Sequence, residues 1–158
     1  MNIEENILTE NICVRPMAEA DLDRVCEIEE ASFSMPWKKE DFAQLIYDSG
    51  SEYFVIEVDN YIVGAAGYTD QVGEGYINNV VIDEKFRGRG LSGTLMKKVL
   101  SAGIKKGITD FTLEVRVSNA AAVKLYESLG FESAGVRKRF YEHPVEDAYV
   151  MWLRSCEE

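Results

Sequence analysis

Apolar positions along the chain change period several times, and each change predicts an element. Residues 53–58 and 61–69 are β-branched and aromatic runs joined by Asp59-Asn60, which predicts an antiparallel hairpin. Gly73 and Gly75 mark the next turn, so residues 76–82 extend the meander by a third strand. Residues 111–117 alternate without a break: Phe111, Leu113, Val115 and Val117 share one face, and Thr112, Glu114 and Arg116 the other.

Helical spacing governs four other stretches. Residues 18–33 carry Leu22, Val25, Cys26, Ile28 and Glu29 along one stripe, and residues 34–37 interrupt the pattern. A second helix is expected at 38–47, with Phe42, Leu45 and Ile46 on one face and Ser49-Gly50 closing it. A third, at 91–104, places Leu91, Leu95, Val99 and Ala102 on one side. Ser118-Asn119 can cap a fourth at 120–129, which Gly130-Phe131 ends. Short strands at 12–15, near 131–136 and at 145–153 complete the order β-α-α-β-β-β-α-β-α-β-β. That order predicts an α+β fold with a mixed, mostly antiparallel sheet and one β-α-β crossover, from 76–82 to 111–117. The 158 residues suit one domain, expected over 12–158 behind an N-terminal extension at 1–11.

Charge divides the chain unevenly. The formal net charge is -11, and residues 1–60 alone hold 15 acids against 4 bases. Lys85, Arg87, Arg89, Lys97, Lys98, Lys105 and Lys106 then follow with no acid among residues 85–107. An acidic chain is not expected to coat nucleic acid or an anionic membrane, whereas one basic segment suits a small anionic ligand. Cys13, Cys26 and Cys156 have neither disulfide nor zinc spacing and suit the cytoplasm; Cys13 and Cys26 are expected in the core. Residues 1–11 are polar and acidic, unlike a secretory leader, and no membrane span or metal site is indicated.

The sharpest local signal is Arg87-Gly88-Arg89-Gly90-Leu91-Ser92-Gly93, between a strand and a helix. Gly88, Gly90 and Gly93 spell G-x-G-x-x-G, but residues 83–86 separate them from the strand and an antiparallel meander precedes it, which disfavours a dinucleotide fold. Glycine-freed N–H groups at a helix N-terminus bind phosphate oxygens of other ligands equally well, with Arg87 and Arg89 adding charge at the rim.

Arg87-Gly88-Arg89-Gly90-Leu91-Ser92 resembles the (Arg/Gln)-x-x-Gly-x-(Gly/Ala) signature of the GNAT superfamily of N-acetyltransferases, with Ser92 where Gly or Ala is usual. The stretch from Leu113 to Phe131, which includes Ser118-Asn119-Ala120-Ala121-Ala122 and Leu125-Tyr126-Glu127-Ser128-Leu129-Gly130, is similar to that of the RimI family, the bacterial ribosomal-protein alanine N-acetyltransferases. Phe33-Ser34-Met35-Pro36-Trp37, Arg137-Lys138-Arg139-Phe140-Tyr141 and Glu146-Asp147-Ala148 resemble further segments of it. The resemblance implies a GNAT fold, acetyl-CoA as co-substrate and a protein N-terminal α-amine as acceptor, that of a small-subunit ribosomal protein. It implies Glu114 as general base, acting through water, and Tyr126 as general acid toward the CoA sulfur.

By the same resemblance Val80, Val81 and Ile82 offer backbone groups to the pantetheine arm, Asn119 hydrogen-bonds the CoA, and the 87–93 loop, Leu91, Ser92 and Gly93 included, holds the pyrophosphate. Phe33, Trp37 and Tyr141 are candidates for the acceptor groove. Read from the residues alone, Glu114 could equally be a solvated strand acid or a partner of Arg116, and Tyr126 a helix residue packing with Ala122 and Leu129. Another amine acceptor, or a module that binds acyl-CoA without turnover, stays open at this stage.

Overall fold

Asp59 and Asn60 both adopt left-handed backbone, with φ of 51° and 67°, and so turn the chain from β2 (Ser51–Val58) into β3 (Tyr61–Gln71) with the twist a tight hairpin needs. β3 pairs antiparallel with β4 (Glu74–Ile82), and β1 (Ile12–Pro16) joins the outer side of β2. The computed structural model describes residues 10–156, so residues 1–9 of the expected extension lie outside the described residues.

Four α-helices flank the sheet: α1 (Leu22–Ser32), α2 (Lys39–Tyr47), α3 (Leu91–Lys105) and α4 (Ala120–Ser128). The first starts at Leu22 rather than at 18, because Glu19–Asp21 forms a tighter 3-10 turn. Its Asp21 carboxylate accepts a hydrogen bond from the Ala18 N–H at 2.7 Å. Beyond α3 come β5 (Asp110–Arg116), β6 (Glu132–Tyr141) and β7 (Glu146–Leu153). The seven strands lie in the order β1-β2-β3-β4-β5-β7-β6, with β4 and β5 parallel and all other neighbours antiparallel.

Alternation along the central strands builds two cores. Tyr53, Val55, Ala65 and Val81 face α1 and α2 through Leu22, Val25, Ile28 and Phe42. Phe54, Ile56, Ala66 and Ile82 share the opposite core with Leu95, Met96 and Val99 of α3 and Tyr126 of α4. A Cβ on Gly103 would stand 2.7 Å from the Phe111 ring, so glycine lets α3 lie close on β5. Cys13 is exposed and Cys26 only half-buried, which corrects the expectation that both are core: β1 is the outer strand, and Cys13 gains no cover there. No helix is long and apolar enough to cross a membrane among the described residues.

Two irregularities in β4 position the site. Ala65 faces Val81 and Gly67 faces Asn78, so two residues of β4, Asn79 and Val80, stand against one of β3: a β-bulge. Asn79 within it has left-handed backbone, φ 48°. The parallel pairing with β5 is confined to Glu74–Tyr76 against Asp110–Thr112. Past Tyr76 the two strands part, and the sheet opens into a notch.

Candidate active site

The notch has a polar side built by Glu114 of β5. Its side chain is 7% exposed; the Tyr76 hydroxyl from β4 donates to Oε2, and Arg137 Nη1 from β6 lies 3.5 Å from Oε1. Arg116, the partner the sequence offered for Glu114, instead bonds Glu146 at 3.2 Å and the carbonyls of Pro144 and Glu142 at 3.0 and 3.2 Å. Its guanidinium also stacks 4.4 Å from the centre of the Tyr141 ring. Arg116 thereby fixes the β6–β7 turn, and with it Tyr141, beside Glu114.

Tyr126 is 7% exposed and packs on Phe131, 5.9 Å between ring centres. Burial pushes its phenol well above the ordinary range, so it keeps its proton at neutral pH. Tyr141 lies within electrostatic reach of Tyr126, Glu114 and Tyr76, and burial followed by the Glu114 charge raises it to about 12. This half-buried tyrosine thus stands in the electrostatic neighbourhood of both the carboxylate and the phenol, which brings Glu114, Tyr126 and Tyr141 to one region of the structure. Tyr76 and Arg137 were missed in the sequence, where nothing marks a tyrosine on a strand as the partner of an acid on its neighbour.

The second side of the notch is the glycine loop. Gly88 and Gly90 take left-handed φ of 79° and 76°, and a Cβ on either would meet nothing within 4 Å. The N–H groups of Gly88, Arg89 and Gly90 make no hydrogen bond among the described residues. Leu91, Ser92 and Gly93 begin α3, so their N–H groups also lack intrahelical partners, and the first turn holds no acid. A row of free amides at the positive end of a fifteen-residue helix, with open space before it, fits a pyrophosphate. The two arginines differ. Arg87 stays exposed but is held in place, its Nε donating to Ile82 O at 3.0 Å and its Nη2 to Ser32 Oγ at 3.1 Å, which ties the loop to β4 and α1. Arg89 lies over Phe86 and pairs with Glu10 at 3.1 Å.

Between loop and carboxylate, β4 is unpaired with β5, so those backbone groups of Val80, Val81 and Ile82 not already taken by β3 or by Arg87 can face an extended ligand. Asn119 caps α4, its side chain accepting from the Ala122 N–H at 3.2 Å. Trp37 is half-buried against Phe42 and Tyr53, with ring centres 5.3 and 6.4 Å away, whereas Phe33 is 41% exposed and is not brought to Glu114 by any contact. Among the described residues no three His, Cys, Asp or Glu side chains come together as metal ligands.

A notch between parting parallel strands, with free amides at a helix start on one side and a buried carboxylate beside tyrosines on the other, is an arrangement suited to acyl transfer. The chain belongs to the acetyltransferase (GNAT) family, whose model matches residues 22–131. Its relatives include a Bacillus subtilis (strain 168) protein provisionally named ribosomal protein bS18-alanine N-acetyltransferase, 37% identical over 141 residues, 89% of this chain and 93% of that one. The Escherichia coli (strain K12) protein of that name is 34% identical over 137 residues, 84% of this chain and 90% of its own length. The solved structure of the ribosomal-protein-S18-alanine N-acetyltransferase from Escherichia coli superposes with a TM-score of 0.85 at 28% identity, covering 94% of this chain and 96% of that one.

Proposed function

We propose that this protein transfers the acetyl group of acetyl-CoA to the α-amine of an N-terminal alanine on a small-subunit ribosomal protein in the cytoplasm. The observation that carries the reading is relatedness across most of both chains to enzymes named for that reaction on bS18. The notch supports it, because its two ends meet the needs of the two substrates.

In the proposed reaction the α-ammonium loses a proton and its nitrogen attacks the thioester carbonyl. The N–C bond forms as the C–S bond breaks, the nitrogen gives up a second proton as it becomes an amide, and the sulfur takes a proton. Acetyl-CoA supplies the activated acyl group; the rest falls to side chains of this chain. Glu114, held by Tyr76 and Arg137, accepts the amine's proton through a water. Tyr126, kept protonated by burial, donates toward the sulfur. Gly88 to Gly93 hold the pyrophosphate, Val80, Val81 and Ile82 the pantetheine arm, and Trp37 and Tyr141 border the acceptor. Asn119 spends its Oδ1 on the α4 cap, which leaves its amide NH2 to donate to the CoA.

The test is direct. Incubated with acetyl-CoA and a peptide beginning Ala-Arg, the protein is expected to release CoA and add one acetyl group at the α-amine, read by mass spectrometry. Acetylation confined to lysine side chains or polyamines overturns the acceptor assignment, and CoA binding without transfer to any amine overturns the enzyme.

A further inference from the structure

The proposed reaction leaves unused the most deeply buried carboxylate among the described residues. Glu29 of α1 is 1% exposed. The Asn79 side-chain amide donates to its Oε1, while Oε2 has no hydrogen-bond partner among the described residues. Burial pushes its carboxyl up to about 7, against the pull of the Asn79 amide and the nearby Trp37 N–H. A leucine or methionine would fill this place on the apolar stripe without such a cost, so the carboxylate marks a requirement other than packing.

The residue it holds explains the requirement. Asn79 is the left-handed member of the β4 bulge, a conformation that L-residues with a Cβ adopt at a cost and asparagine tolerates best. It follows the last pairing of β4 with β5 and directly precedes Val80 and the groups facing the notch. Asn79 joined β4 to nothing in β5, and its amide reaches across to α1 instead. We propose that Glu29 is a positioning residue: by accepting from the Asn79 amide it locks the β4 bulge in the left-handed conformation that presents Val80, Val81 and Ile82 to the pantetheine arm of the acyl donor. The inference rests on the donor-site reading above. The lock needs an acceptor rather than a charge, because Oε1 accepts from Asn79 whether or not Oε2 carries a proton.

Calorimetric binding of CoA, with kcat and KM for acetyl-CoA, tests the lock in the full chain. Glu29→Gln keeps an acceptor and is expected to bind CoA within about threefold of the parent, whereas Glu29→Leu loses about tenfold in affinity with kcat at saturating acetyl-CoA little changed. Asn79→Ala is expected to lose a similar factor, and combining it with Glu29→Leu to cost no more than either alone. Asn79→Gly, which adopts the same φ freely, restores affinity relative to Asn79→Ala. Undiminished CoA binding by Glu29→Leu, or losses that multiply in the double variant, overturns the lock. Should Glu29→Leu not fold, equal affinities of Asn79→Ala and Asn79→Gly overturn it instead. A parent protein that binds no CoA overturns the donor site itself, a separate result.

Discussion

Glu114 is held from two sides by groups of different kind, a phenol that donates a neutral hydrogen bond and a guanidinium that adds charge. As the proposed base, a carboxylate held this way has its lone pairs aimed before the amine arrives. Glu114→Gln is expected to lower kcat by about 10²–10³ with CoA affinity unchanged. Tyr76→Phe keeps the ring and removes only the donor, so kcat should fall about tenfold while thermal stability changes little. Steady-state kinetics beside a melting curve separate the two effects, and full activity in Tyr76→Phe would return that residue to packing. In the sequence, Glu114 and Tyr126 stood out by family resemblance, because a strand acid and a helix tyrosine have ordinary structural explanations. Tyr76 and Arg137 were not legible at all, since their meeting with Glu114 depends on which strands become neighbours.

At the scale of elements, periodicity carried most of the fold. The hairpin, the alternating β5 and all four helices were readable because each buries one face, and burial imposes period 2 or period 3.6 on local sequence. What could not be read has causes outside the element concerned. The β4 bulge is tied to a residue of α1, and β6 runs on to Tyr141 through a second irregularity, where four steps from Arg137 to Tyr141 face two from Ala148 to Glu146. The tether of Arg87 likewise depends on Ser32, 55 residues earlier in the chain. The glycine loop was legible because its requirement is local. Gly90→Ala places a Cβ in open space but forces an L-residue to φ 76°, a cost of about 1–2 kcal/mol. CoA affinity is therefore expected to fall about tenfold by calorimetry, and the rate at saturating acetyl-CoA to change far less.

For the molecule as a whole, the acidic first 60 residues are only partly neutralised by their own bases. Arg15 pairs with Asp21 and Glu57, Arg24 with Glu27 and Asp83, and Lys39 with Asp23, which leaves most of the acids among the described residues of that segment unpaired by its bases. Two carboxylates among them act on stability in opposite directions. Hydrogen bonds from the Arg15 guanidinium hold Asp21 below its ordinary range, so its contribution is present near neutrality and is lost as the pH falls. Glu29 has the reverse sign. Its folded-state value of about 7 lies above that of an unfolded glutamate, so between about pH 4.5 and 7 the folded form alone keeps the proton. Unfolding free energy should therefore fall as the pH rises through that window, by at most about 1.4 kcal/mol per unit from this group, and level off above it. Urea unfolding from pH 5 to 8 is expected to show Glu29→Gln gaining on the parent up to pH 7. Parallel curves would mean that Glu29 is already ionised in the folded protein.

The parting of β4 from β5 has a consequence for how the protein meets other proteins. An unpaired strand edge at the rim of a sheet invites any extended chain to add to it, and proteins commonly protect such edges with charge, bulges or cover. Here the free edge lies inside the sheet, in a wedge whose apex is closed by the pairing of Glu74–Tyr76 with Asp110–Thr112. A strand of another protein carries side chains on both faces and would have to enter between two strands still joined at one end. A slender, unbranched arm with its own amides does not meet that obstacle. The notch proposed for the acyl donor thus also shields its free β4 edge from strand addition by neighbouring proteins.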